Sequence, residues 1–168
     1  MRSLSVSIAF LLAGCAAQQS SPLYDYYFPK RGETVASSVY RPAFDKLLSG
    51  GPSKDSRATD RWLYRALRGD VASAHAFLHS PDSDAPGEFG ETWAYECLFL
   101  LVQLGDHRFA SLLRNEDHRT REFVGATLEM MTDRKMHSFP ETRALCLRRN
   151  EHITSNQSVE LLSSLKAS

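Results

Sequence analysis

Glycine and proline divide the chain after Pro42 into segments of helix length, and this spacing limits the possible folds more than any other feature. The breaks fall at residues 50–52, 69–70, 81–90, 105–106 and 138–141. No segment shows the sustained alternation of apolar and polar residues that a half-buried strand requires. The sequence therefore predicts an all-α fold.

The apolar residues within these segments recur at helical spacing. Phe109, Leu112 and Leu113 stand at i, i+3 and i+4. Residues 91–104 are apolar nearly all round, and their length without Gly or Pro favours a central helix over a buried strand. Residues 121–131 form an amphipathic helix whose predicted apolar arc consists of Phe123, Val124, Ala126, Met130 and Met131, with Gly125 on the opposite arc.

The dipeptide Gly69-Asp70 recurs 36 residues later as Gly105-Asp106. Each copy precedes a short helix, a loop and a longer helix, and each Asp is predicted to be an N-cap. A repeat of this length is typical of helical solenoids.

Residues 117–128 resemble the entry of the second helix in a HEAT repeat. The matching positions are Asp117, Arg121, Ala126 and Leu128, whereas His118 and Thr120 replace the usual Pro and Val. The resemblance implies a short α-solenoid of stacked, HEAT-like helix pairs over residues 42–168. An irregular helical bundle is the alternative.

The N-terminus has the pattern of an export signal. Arg2 is followed by an apolar stretch, residues 4–12, which is too short to span a bilayer. The next residues complete a sequence that resembles the lipobox of bacterial lipoproteins: Leu12, Ala13, Gly14 and Cys15. The resemblance implies that residues 1–14 are a signal peptide, that cleavage falls between Gly14 and Cys15, and that Cys15 carries a covalent lipid.

A lipid on Cys15 implies that the lipid bilayer is a partner and that the protein lies in a bacterial cell envelope. Ala16 after the cysteine resembles the pattern sorted to an outer membrane, if the organism has two membranes. Residues 15–41 lack helical periodicity and are predicted to be an acylated N-terminus with a flexible tether. The aromatic cluster Tyr24, Tyr26, Tyr27 and Phe28 predicts either a belt at the headgroups or docking on the helical body.

Charge gives no general attraction to nucleic acid, because 20 Lys and Arg balance 20 Asp and Glu. Basic residues are concentrated along one helical stripe, which consists of Arg61, Tyr64, Arg65 and Arg68. This stripe predicts a face that binds an unknown envelope protein. A solvated polar face explains the same stripe. Apart from the lipid, the sequence indicates no cofactor and no small-molecule substrate.

His75 and His79 have the i, i+4 spacing with which two imidazoles share a zinc ion, and Asp82 or Asp84 could serve as the third ligand. The Glu of the H-E-x-x-H motif is absent because position 76 is Ala. Half-buried histidines without a metal are the simpler interpretation. Cys97 and Cys146 are predicted to be buried free thiols, with a disulfide as the alternative.

These features favour a membrane-anchored lipoprotein whose helical-repeat domain binds an envelope protein, because no catalytic motif is visible. One alternative is a metal-dependent envelope hydrolase that uses His75 and His79. Another is an immunity-type lipoprotein that neutralises a toxin.

Overall fold

The computed structural model describes residues 22–32, 34–84, 87–132 and 136–147. None of these residues lies in a strand, and the all-α prediction is confirmed. The described α-helices are α1 (Pro22–Tyr27), α2 (Arg41–Gly50), α3 (Ala58–Ala66), α4 (Val71–Leu78), α5 (Glu88–Leu104), α6 (Asp106–Leu113), α7 (His118–Met131) and α8 (Pro140–Leu147). A π-helical turn covers Ala36–Tyr40, and 3-10 turns cover Pro81–Asp84 and Met136–Ser138.

Helix α5 lies at the centre of the core, as its apolar sequence predicts. It contacts α1, α3, α6 and α7, and its residues from Cys97 to Val102 are all buried. The indole N–H of Trp93 donates to the carbonyl oxygen of Phe77 at 3.1 Å, which ties α5 to α4. No helix in the described part of the chain has both the length and the apolar character needed to cross a membrane.

From α3 to α8, each helix contacts the helix two places away along the chain. Helix α5 contacts α3 and α7, while α6 contacts α4 and α8. The pairs α3/α4, α5/α6 and α7/α8 also pack together. Stacked helix pairs and an irregular bundle both allow these contacts, so the HEAT-like solenoid stays a prediction.

The repeated Gly-Asp dipeptides form two similar turns with different capping. Gly69 and Gly105 both have positive φ, 90° and 76°, where a side chain would be strained. Asp70 caps α4, since its carboxylate accepts the N–H of Ser73. The N-cap prediction is wrong for Asp106, which is the first residue of α6.

The Asp106 carboxylate instead accepts the backbone N–H groups of Glu141 and Thr142 at 2.7 and 2.8 Å. These two residues belong to the first turn of α8, where free N–H groups need acceptors. Asp106 therefore joins α6 to α8 across 36 residues of sequence.

The predicted apolar arc of α7 is wrong in part. Phe123 and Met130 are 38% and 67% exposed, whereas Gly125 is buried. Helix α8 approaches α7 so closely that a Cβ atom on Gly125 would overlap the Cβ atom of Cys146. Because α8 crosses α7 at Gly125, the buried face of α7 includes this glycine and leaves Phe123 and Met130 of the apolar arc exposed.

Part of the segment predicted to be a tether packs on the helical body, although Lys30, Arg31 and Val39 within it are exposed. Tyr24 and Phe28 are 1% and 0% exposed, and both rings contact Phe99 of α5. The Arg41 guanidinium bonds to the Asp25 carboxylate at 2.8 Å and lies over the Tyr24 ring. The tether prediction for residues 15–41 is therefore wrong for the docked residues 22–28 and 36–41, because the buried rings of Tyr24 and Phe28 supply enough apolar surface to dock.

Docking on the body is thus confirmed for two of the four aromatics. Tyr27 is half-buried and stacks on Phe139, while Tyr26 is 71% exposed. The predicted signal peptide, residues 1–14, and residues 15–21 lie outside the described residues.

Candidate functional site

The predicted lipidation site lies outside the described residues. This holds for Cys15 and for the whole lipobox, from Leu12 onward. Lipidation and signal cleavage at Gly14 and Cys15 therefore stay predictions from the sequence.

The predicted partner-binding face is on α3 and the turn that follows it. Arg61, Arg65 and Arg68 are exposed, and the Arg68 guanidinium stacks 3.7 Å from the ring centroid of Tyr64. The ring of Tyr64 in turn lies against Gly51. Among the described residues, no carboxylate lies within 4 Å of these three guanidinium groups. The face therefore presents three positive charges without an ion-pair partner there.

His75 on α4 and His79, which caps the C-terminus of α4, lie side by side with ring centroids 4.3 Å apart. Both rings contact one carboxylate: His75 Nδ1 is 2.9 Å and His79 Nε2 is 2.8 Å from Glu116 Oε2. The Glu116 side chain is only 5% exposed, whereas the histidine side chains are 61% and 37% exposed. One buried carboxylate thus holds two solvent-facing imidazoles, a group of three that could ligate a metal.

The third member of this cluster differs from the predicted one. Asp82 is engaged elsewhere, because its Oδ2 accepts hydrogen bonds from Arg57 and Thr59. The side chain of Asp84 lies outside the described residues. Position 116 is 36 residues after Ser80, so it occupies in the next repeat the place that follows His79. The 36-residue repeat period was the signal in the sequence that pointed to Glu116, whereas the contact of α4 with α6 is known only from the structure.

A second polar cluster, which sequence reasoning missed, surrounds Arg57. Its guanidinium contacts the carboxylates of Asp60 at 2.9 Å and Asp82 at 3.3 Å, and also that of Glu96. Only the spacing of Arg57 and Asp60 at a helix start was visible in the sequence, and Asp60 indeed accepts the Arg57 backbone N–H.

Glu96 is the buried member of this Arg57 cluster. Its Oε2 is buried without a hydrogen-bond partner among the described residues. Burial raises the pKa of Glu96 from 4.5 to about 8, and the Arg57 charge offsets only part of that effect. Glu96 and Asp60 line a cleft of about 170 Å³ whose apolar walls include Phe44, Leu47 and Leu63.

The two thiols, Cys97 and Cys146, are buried and free, as predicted. Burial raises the pKa of Cys146 to about 12 and that of Cys97 still further from its ordinary range. Both thiols therefore stay protonated at neutral pH, and neither has the thiolate character of a nucleophile.

Comparison of the chain with protein-family models, with curated proteins and with solved structures finds no match.

Proposed function

We propose that this chain is a membrane-anchored bacterial lipoprotein whose helical domain binds a protein of the cell envelope. The observation that carries the proposal is the run Leu12, Ala13, Gly14 and Cys15, which resembles the lipobox at every position. Two or three acyl chains on one residue make a lasting anchor, whereas one chain binds only reversibly.

The position of α1 sets how far the domain can lie from such an anchor. Six residues, 16–21, separate Cys15 from Pro22, where α1 begins. A chain reaches at most about 3.6 Å per residue, so the lipidated residue would lie within ~25 Å of the start of α1. The helical body would therefore sit beside the bilayer, and its partner would be another protein at that surface.

The arginine face, defined by Arg61, Tyr64, Arg65 and Arg68, supports binding to a partner with exposed carboxylates. Guanidinium groups form paired hydrogen bonds with carboxylates, and the three arginines have no such partner among the described residues. The stack of Arg68 on Tyr64 holds one guanidinium in place. The arginine face thus offers positive charges that can pair with the carboxylates of an acidic partner surface.

The anchor is tested by replacing the cysteine that would carry it. Cys15→Ser is expected to abolish incorporation of labelled palmitate and to release the protein from the membrane fraction. Cys146→Ala is the control, because this thiol is buried in the domain and is expected to change neither result. Palmitate uptake by Cys15→Ser would refute the anchor.

The binding face is tested by affinity capture from membranes with the full chain as bait. The triple substitution Arg61→Gln, Arg65→Gln and Arg68→Gln is expected to lose a partner that the parent chain captures. The control is Arg108→Gln, Arg119→Gln and Arg143→Gln, which removes the same charge from exposed positions on other helices. Equal capture by both triple variants would refute the face.

One alternative function has an observation in its favour. Glu116 gives His75 and His79 the two-histidine, one-carboxylate set that occurs in catalytic zinc sites. A metal-dependent hydrolase also needs a base, and Ala76 stands where the H-E-x-x-H motif has one. We therefore keep protein binding as the proposed function. If a toxin is among the captured proteins, the chain is an immunity-type lipoprotein that neutralises it.

A further inference from the structure

We propose that His75, His79 and Glu116 form a site for one zinc ion per chain. The site does not depend on the lipid anchor or on the arginine face, since its residues come from α4 and from the connection between α6 and α7. The ligands are one nitrogen from each imidazole and one carboxylate oxygen.

The ligand atoms are already almost at coordination distance from one another. All of them lie within 4.8 Å of one another, and each histidine nitrogen is 2.8–2.9 Å from Glu116 Oε2. A tetrahedral zinc ion with bonds of about 2.0–2.1 Å separates its ligands by roughly 3.3 Å. The two nitrogen–oxygen distances need to lengthen by only about 0.5 Å, and the two imidazole nitrogens, which lie within 4.8 Å of each other, need to stand roughly 3.3 Å apart.

The burial pattern suits an ion that enters from solvent. Glu116 is fixed below the surface, with a side chain that is 5% exposed. The imidazoles above it are 61% and 37% exposed, so an ion can reach them without a change in the fold. Three protein ligands leave one tetrahedral position open to water or to a group from a partner.

Two other His–Glu pairs among the described residues lack this arrangement. His107 meets Glu141, and His118 meets Glu122, each through a single imidazole. The carboxylate side chains in these pairs are 42% and 49% exposed. Only Glu116, among the described residues, combines a buried carboxylate with two imidazoles.

The donor set favours zinc over the hard divalent ions. Imidazole suits zinc, copper and nickel, whereas magnesium and calcium prefer ligand sets made of oxygen alone. Copper(II) binds most nitrogen sites more tightly, so selection of zinc over copper depends on availability.

The test is calorimetric titration of zinc chloride into the full chain, purified in detergent and freed of metal with a chelator. The expected result is saturable binding at one ion per chain, with a melting temperature that rises with zinc concentration. Magnesium chloride is expected to give neither effect. His75→Ala, His79→Ala and Glu116→Gln are each expected to weaken binding by more than the roughly 10–100-fold that an outer-shell partner contributes.

His107→Ala and His118→Ala are the matched controls and are expected to bind zinc like the parent chain. Circular dichroism checks that each variant folds. If Glu116→Gln does not fold, the test rests on His79→Ala, because the His79 side chain is exposed. Absence of saturable binding in the parent chain would overturn the site. Unchanged affinity in folded His79→Ala, or equal weakening in His107→Ala, would overturn it as well.

Discussion

Glu116 and Glu96 are buried to the same degree, but the groups around them differ. Their side chains are 5% and 4% exposed. Glu116 bonds to two imidazoles that reach solvent, and both of its oxygens have partners. Glu96 meets the single guanidinium of Arg57, which two aspartates share, and its Oε2 has no described partner.

The difference lies in where each residue sits in the fold. Glu116 follows the end of α6, so side chains of α4 can cover it while remaining in water. Glu96 is in the middle of α5, the central helix, where desolvation favours the neutral acid. A buried carboxylate can therefore be accommodated by partners, as at Glu116, or by a raised pKa, as at Glu96.

The largest expected effect comes from removing the cation of the Arg57 cluster. Arg57→Ala leaves Glu96, Asp60 and Asp82 without their shared partner, because all three contact its guanidinium. The expected loss is about 2 kcal/mol at pH 8, because Asp60 and Asp82 lose a partly exposed partner while Glu96 can bind a proton and so need not remain a buried unpaired charge. Urea denaturation measures it, and the exposed Arg61→Ala is the control. Equal losses in the two variants would show that Glu96 does not depend on Arg57.

Glu96→Gln tests the raised pKa through the dependence of stability on pH. The folded chain holds a proton on Glu96 up to about pH 8, whereas the unfolded chain releases it near 4.5. Between these values the unfolded chain binds fewer protons, so the free energy of unfolding falls as pH rises. Between pH 5 and pH 8, the free energy of unfolding of Glu96→Gln is expected to rise by on the order of 2 kcal/mol relative to that of the parent.

Thermal or urea unfolding at a series of pH values measures this gain. Glu91→Gln is the control, because Glu91 is exposed on the same helix. If Glu91→Gln and Glu96→Gln follow the parent curve equally, Glu96 is ionised in the fold and the contrast with Glu116 is lost.

His79→Ala in the absence of metal has the smallest expected effect. The His79 side chain is 37% exposed, and His75 keeps a hydrogen bond to Glu116 in the variant. The expected loss is below about 1 kcal/mol, as for partly exposed pairs in general. Urea denaturation with a chelator present measures it. A loss as large as that of Arg57→Ala would mean that Glu116, like Glu96, depends on one partner.

Much of the helical framework could be predicted from the sequence. Gly69 and Gly105 mark turns whose positive φ only glycine adopts easily, so their effect is local. The Asp70 cap follows from the same kind of local geometry. The pairing of His75 with His79 follows from the helical period alone.

The predictions failed where a neighbouring helix decided the outcome. Asp106 has the sequence context of Asp70, yet it caps α8 because α8 begins beside it. The helical period puts Gly125 on the polar arc of α7, yet it is buried because α8 crosses there. The aromatics near Tyr24 lack periodicity, yet α5 offers them a surface on which to dock.

The sequence alone was enough to place the main breaks between α2 and α8 and to show which histidines share a face, but not to find α1. The packing of the helices was needed to bring Glu116 to the histidine pair and Arg57 to Glu96. These contacts join residues 41 and 39 positions apart. The physical reason is that such contacts depend on how helices are aligned when they pack, and a helical period fixes spacing only within one helix.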